Sequence, residues 1–155
     1  MDSTALGIIA GLGMVSVVIS LVWVVVSVIA NWRIFEKAGE AGWKCLIPFY
    51  GSYVEYEFTW IGWLGIVYVV LLMVPGFLST ATAQENPSVV ASALVSIAGI
   101  ASFIISAIQS IRLSKAFGHG IGFGIGLILL SPIFRIILGF GNSEYVGKVD
   151  TTKLL

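Results

Sequence analysis

Ser114 and Lys115 stand side by side, and Ser131 follows further along the same apolar stretch. A serine and a lysine are the parts of a membrane peptidase, in which the amine must lie within hydrogen-bond reach of the hydroxyl it activates. Neighbours on a helix point about 100° apart, so Ser114 and Lys115 do not make that pair. Ser131 is too far from Lys115 in the chain to replace it. The chain has one cysteine, Cys45, and one histidine, His119, too few for a His/Cys metal site and enough for no disulfide. Glu55, Glu57 and Glu85 all fall between the apolar stretches, leaving no carboxylate pair for acid–base chemistry there. The alternating glycines from Gly118 to Gly126 fit no G-x-G-x-x-G, and neither H-E-x-x-H nor G-x-S-x-G occurs. The expectation is a protein with no catalytic, cofactor-binding or metal residues, which is not an enzyme.

The placement of the charges says more. Only 10% of the 155 residues are charged and 58% are hydrophobic, against about 25% charged in soluble domains. The formal net charge is zero, which gives nucleic acid no basic surface to bind. Residues 3–32, 58–84, 86–111 and 116–134 carry no charge, and a span needs about 20 mainly apolar residues. Backbone groups in hydrocarbon must bond within their own segment, so each run is expected to be a helix. The predicted fold is an all-α polytopic membrane protein, one domain over 1–155, with transmembrane helices at about 6–30, 59–79, 88–111 and 117–139 and an interfacial helical loop at 31–58. The first run has no basic residue before it and a longer apolar stretch than a signal peptide, so it reads as a retained anchor. Arg33, Lys37 and Lys44 lie in one loop, Arg112 and Lys115 in another, and none in the loop around Glu85. Both basic loops are therefore expected in the cytoplasm, with the amino terminus outside. Asn86-Pro87 suggests the outer turn and Ser88 a helix cap.

Small residues recur along these helices. Ser92, Ser96, Gly99, Ser102 and Ser106 gather on one side of the third, and Gly13, Ser16, Ser20, Ser27 and Asn31 share an arc of the first. Such stripes let helix backbones approach closely, so the two are expected to pack through them, although a polar track for a solute would use the same serines. Gly118, Gly122 and Gly126 form one face of the fourth segment and are read the same way. That segment also holds Ser131-Pro132, which interrupts helical hydrogen bonding, and Arg135, a charge in apolar surroundings. Two readings remain. A full span would carry Arg135 about 28 Å from Ala116, near the outer headgroups, and put the tail outside. A re-entrant hairpin turning at Pro132 would return the tail, with Lys148 and Lys153, to the cytoplasm, and would leave Arg135 deep with no acid in any span to pair with. The full span is the expectation.

Residues 32–58 interleave aromatic and charged side chains: Trp32, Phe35, Lys37, Gly39, Gly42, Trp43, Pro48 and Tyr50 form a surface suited to headgroup depth and to a partner. Gly39 and Gly42 are natural helix stops, and Pro48 ends a second short helix. The run Lys37-Ala38-Gly39-x-x-Gly42-Trp43 with Ile47-Pro48-x-Tyr50 resembles the signature of a family of small bacterial multi-pass membrane proteins of unknown function. Leu113-x-Lys115-x-Phe117-Gly118, Pro132-Ile133-Phe134, Leu138-Gly139-Phe140-Gly141 and Glu144-Tyr145 are similar to its carboxy-terminal half. The resemblance implies the bacterial cytoplasmic membrane and no established reaction. A signal-peptidase label that members sometimes carry has no support in these residues. The expected function is non-catalytic: an accessory subunit, scaffold or regulator in contact with lipid and with another membrane protein or itself. The alternative is a small channel or transporter, alone or as an oligomer.

Overall fold

The computed structural model describes residues 3–81 and 89–148, with side chains over 11–78 and 89–148. The expected turn at Asn86-Pro87, the loop at Glu85, the cap at Ser88 and the charge at Lys153 lie outside the described residues. Among those described there is no strand. The helices are α1 (Ser3–Lys37), α2 (Tyr50–Thr59), α3 (Gly62–Ala81), α4 (Val89–Ala116), α5 (Ile121–Leu129) and α6 (Ser131–Phe140), with a 3-10 turn at Gly42–Leu46 before α2. Two helices are long and apolar enough to cross a membrane, Gly11–Lys37 within α1 and α4 itself, while the apolar part of α3, Gly62–Leu78, is shorter.

Helices α1 and α4 end in the same way. At Gly39 the backbone turns left-handed (φ +82°), the Gly39 N–H donates to the Glu36 carbonyl and the Glu40 N–H to the Phe35 carbonyl. At Gly118 (φ +73°) the Gly118 N–H donates to Lys115 and the His119 N–H to Ser114. This is the paired closure that satisfies the last carbonyls of a helix, and glycine adopts its left-handed residue without a Cβ clash. The first helix thus runs seven residues into what the sequence suggested was loop.

The largest departure from expectation is the fourth apolar segment. In place of one helix over 117–139 there are two short ones, because Pro132 lacks an N–H and its ring excludes a continuing helix, while its fixed φ suits the first turn of a new one. Nine residues in α5 and ten in α6 rise only about 13–15 Å each. The chain then comes back: the Val146 N–H donates to the Ala116 carbonyl and the His119 Nε2 lies 2.7 Å from the Ser143 Oγ. Both ends of the segment therefore meet, and α5–α6 is a hairpin, the reading that the sequence argument set second.

Among the described residues, all helices but α3 send residues to one core: Ile34 and Phe35 from α1, Val54 and Phe58 from α2, Leu113 and Ala116 from α4, Leu127 from α5 and Leu138 from α6, with Phe117 just beyond α4. Helix α1 packs on α6 and the 3-10 turn, α4 on α3 and α5, and α2 on α3. Contact between α1 and α6 is close enough that a Cβ on Gly139 would sit 2.6 Å from the Ala30 carbonyl oxygen. Away from this end α1 stands apart, with every residue from Gly11 to Val25 exposed, while α4 still buries Ala91 and Ala98.

Candidate functional site

Arg135, one turn into α6, is brought by the hairpin against the last turns of α1 and the middle of α2. Its Nη2 donates to the Glu55 Oε1 at 2.6 Å, and its Nη1 to the Glu55 Oε2 at 3.1 Å and to the Asn31 Oδ1 at 2.9 Å. The two-pronged bond matches the planar guanidinium to the carboxylate, a geometry lysine cannot supply. The expectation that Arg135 has no acidic partner and reaches outer headgroups is therefore corrected. It fails because Glu55 is near in space only once α6 has doubled back.

A second polar group lies next to this pair. The Gln109 Nε2 on α4 donates to the Thr59 Oγ1 at 2.6 Å, and the Thr59 hydroxyl donates to the Glu55 carbonyl at 2.7 Å. Thr59 spends its one proton on Glu55 and can only accept from Gln109, so the amide nitrogen must face it. The Gln109 Oε1 is left buried with no hydrogen-bond partner among the described residues. One turn on, the Arg112 guanidinium lies over the Trp60 ring at 4.3 Å, in a side chain only 1% exposed. Arg112 was read as a loop charge, and it is among the most buried residues of the chain.

The ion pair and Gln109 border a cavity of about 380 Å³ between α2, α3, α4 and the hairpin, which Tyr56, Tyr68 and several serines and apolar residues also line. Tyr56 and Tyr68 stack at 5.9 Å. Burial, with the nearby Glu55 carboxylate second, pushes the Tyr56 hydroxyl far above its ordinary range and keeps it neutral. A smaller cavity of about 160 Å³ lies against Asn31, Cys45 and Pro48 and shares Ser52, Glu55 and Arg135 with the first. The ion pair borders both.

The carboxy-terminal segment closes the core. Tyr145 donates to the Phe58 carbonyl at 2.6 Å with its ring edge-on to Phe58 and Phe117, and burial raises its pKa. His119 stacks on Phe123 at 4.3 Å while bonding Ser143, a structural post. Ser114 is fully buried and donates to the Gly120 carbonyl, so its hydroxyl is committed to the turn after α4.

The expected aromatic surface divides in two. Trp32 bonds Glu36 and packs over Gly42, Phe35 is buried edge-on to Phe58, and Lys37 donates to the Leu138 and Gly141 carbonyls at 2.7 and 2.6 Å. Lys37 thereby caps α6, a cation where the helix dipole is negative, and is not a free docking charge. Trp43, Leu46, Ile47, Pro48, Phe49 and Tyr50 are exposed. Phe49 is the one non-glycine with a left-handed φ among the described residues (φ 67°, ψ −56°), where the Tyr50 N–H bonds the Pro48 carbonyl at 2.7 Å. Such a turn costs about 1–3 kcal/mol and is rare without a reason.

The small-residue stripes fare differently. Ser92, Ser96 and Gly99 are exposed, as are Gly13, Ser16 and Ser20, so the expected packing of the first helix on the third through these residues is not formed. Their hydroxyls donate to carbonyls three or four residues back in the same helix, so neither stripe needs a neighbour. Ser102 is buried and Ser106 half-buried beside the cavity. In the hairpin, Gly118 turns the chain, Gly122 meets nothing within 4 Å, Gly126 lies under the Phe134 ring, and the close approach to α4 is made by Gly124 against Ile111. Spacing alone gave Gly124 and Gly139 no preference over the other glycines.

Among the described residues the protein is all-helical, with an apolar core at one end and the Glu55–Arg135 ion pair beside it. Residues 43–148 match a family of unknown function, DUF5684, and the chain belongs to it. The match takes in α2 to α6 and begins after α1, so the Lys37-to-Gly42 half of the signature precedes it. No curated protein and no solved structure matches the chain.

Proposed function

We propose that the chain is a multi-pass protein of the bacterial cytoplasmic membrane with three spans, α1, α3 and α4, and a re-entrant hairpin, α5–α6. Charge supports this arrangement. Arg33, Lys37, Lys44, Arg112, Lys115 and Lys148 all lie at the core end, so the positive-inside rule puts that end in the cytoplasm. An amino terminus outside and three crossings then return the tail to the cytoplasm, which the expected four spans did not. Labelling with an impermeant maleimide on intact spheroplasts tests it in a Cys45→Ser background. A cysteine at Thr4 should react, and cysteines at Glu40 and Gly147 should react only after lysis. Reaction at Gly147 in intact cells would restore the full fourth span.

The protein acts through contacts, as a non-catalytic subunit, scaffold or regulator. The observation that carries this reading is the exposed apolar surface of Trp43 and Leu46 to Tyr50, which contains the left-handed Phe49. A photo-crosslinking residue at Trp43 or Phe49, expressed in living cells, should give adducts of a discrete mass different from twice that of the chain. Lipid adducts only would remove the reading. The second reading, a small channel or transporter, is favoured by the two cavities that meet at Glu55–Arg135, and dimer-sized adducts at Ser92 or Ser96 would favour it.

A further inference from the structure

The Gln109 side chain is 4% exposed and lines the larger cavity, yet its Oε1 has no donor among the described residues. A buried acceptor left unmatched is costly, and native proteins rarely leave one without a use. The serines beside it on α4 have no proton to give. The Ser106 hydroxyl is spent on the Phe103 carbonyl at 3.2 Å and the Ser110 hydroxyl on Ser106 at 2.9 Å, which leaves both oxygens as acceptors. The two charges on the wall cancel, since both Glu55 oxygens are held by Arg135. A charged guest would have to shed its water there without a free counterion. The rest of the lining combines the Ser52 and Ser131 hydroxyls with an apolar and aromatic wall from Phe103, Leu127, Ile128 and the stacked tyrosines. A volume of about 380 Å³ lies within the ordinary range of small-molecule sites.

We infer that this cavity binds a neutral small molecule carrying an N–H or O–H donor at one end and an apolar or aromatic body, with the Gln109 Oε1 as the acceptor. The donor end meets Gln109 and the Ser106 and Ser110 oxygens, and the body lies along Phe103 and the tyrosine rings. The Gln109–Thr59–Glu55 relay fixes the amide with its nitrogen on Thr59. A ligand seated there would touch α2, α3, α4 and the hairpin together. The inference does not rest on the contact reading, and its failure would leave the crosslinking result untouched.

Saturation-transfer NMR on the full-length protein in dodecylmaltoside micelles tests it, with protein-free micelles as the blank. Benzamide, N,N-dimethylbenzamide and benzylamine serve as probes: a neutral donor, the same body without the donor, and a cation. Benzamide should show protein-dependent saturation, and removing its N–H groups or introducing Gln109→Leu should weaken binding by about tenfold or more. If Gln109→Leu does not fold, Ser106→Met, which fills the cavity and leaves the Gln109–Thr59 bond in place, should abolish the signal. Equal binding of benzamide and its dimethyl analogue, unchanged binding in the folded variant, tighter binding of benzylamine, or no protein-dependent signal from benzamide would each overturn the assignment.

Discussion

From Val89 to Ile104, helix α4 buries Ala91, Ala98 and Ser102 and exposes most of the rest; from Gln109 to Ala116 it buries Gln109, Arg112, Leu113, Ser114 and Ala116. One helix therefore has two environments. Its first half shows the surroundings large apolar side chains, and its second half is wrapped by α2, α3 and α5. Helix α1 repeats the division, exposed from Gly11 to Val25 and buried at Ala30, Ile34 and Phe35. The difference teaches where specificity resides. At the open ends, side chains need only be apolar and helical. At the core end, each polar group depends on one particular partner, and a change there leaves that partner unsatisfied.

The sharpest way to break this comparison is to remove one member of the ion pair. Arg135→Leu leaves the Glu55 carboxylate, only 13% exposed, without its partner, and should cost about 3 kcal/mol or more. Thermal unfolding of the purified protein in detergent would show it. The double variant Glu55→Gln with Arg135→Gln should recover much of that loss, since two amides can still bond one another. A double variant no better than the single one would mean that the pair is not what holds α6 to α2.

A smaller effect is expected where backbones touch. Gly139→Ala puts a methyl group against the Ala30 backbone, 2.6 Å from its oxygen, and should destabilise by about 1–3 kcal/mol. Gly13→Ala, with nothing within 4 Å, should stay within about 0.5 kcal/mol. Similar melting shifts in both would erase the distinction between the two ends of α1.

The smallest contrast lies within a single stripe. Ser102→Leu overfills a buried position and should cost about 1–2 kcal/mol, whereas Ser96→Leu, exposed, should be nearly neutral. Loss of assembly without loss of melting temperature in Ser96→Leu would instead identify the exposed stripe as a seam between copies of the chain.

Helices, their apolar runs and their stops were legible because they are local. Charge-free stretches gave α1, α3 and α4, although α1 and α4 run seven and five residues past the expected spans, Gly39 was legible as a stop while Gly118 read only as a packing residue, and Pro132 marked the break in the fourth segment. The candidate site was far less legible. Arg135 was visible as an intramembrane charge, but Glu55, 80 residues earlier, gave no sign of being its partner. Gln109 and Arg112 read as the end of a span and the start of a basic loop, and neither stood out.

Hydrophobicity and backbone stereochemistry act over a few residues, so the sequence by itself determined that this chain is helical, apolar and interrupted at particular glycines and prolines. Whether Pro132 kinked one helix or folded it back was decided by tertiary structure, because the two outcomes differ only in what the second half packs against. Gly139 against Ala30, Lys37 on the carbonyls of Leu138 and Gly141, and Glu55 on Arg135 hold α6 to α1 and α2. Each of these contacts joins residues that lie far apart in the chain, and their energies exist only once the hairpin has closed.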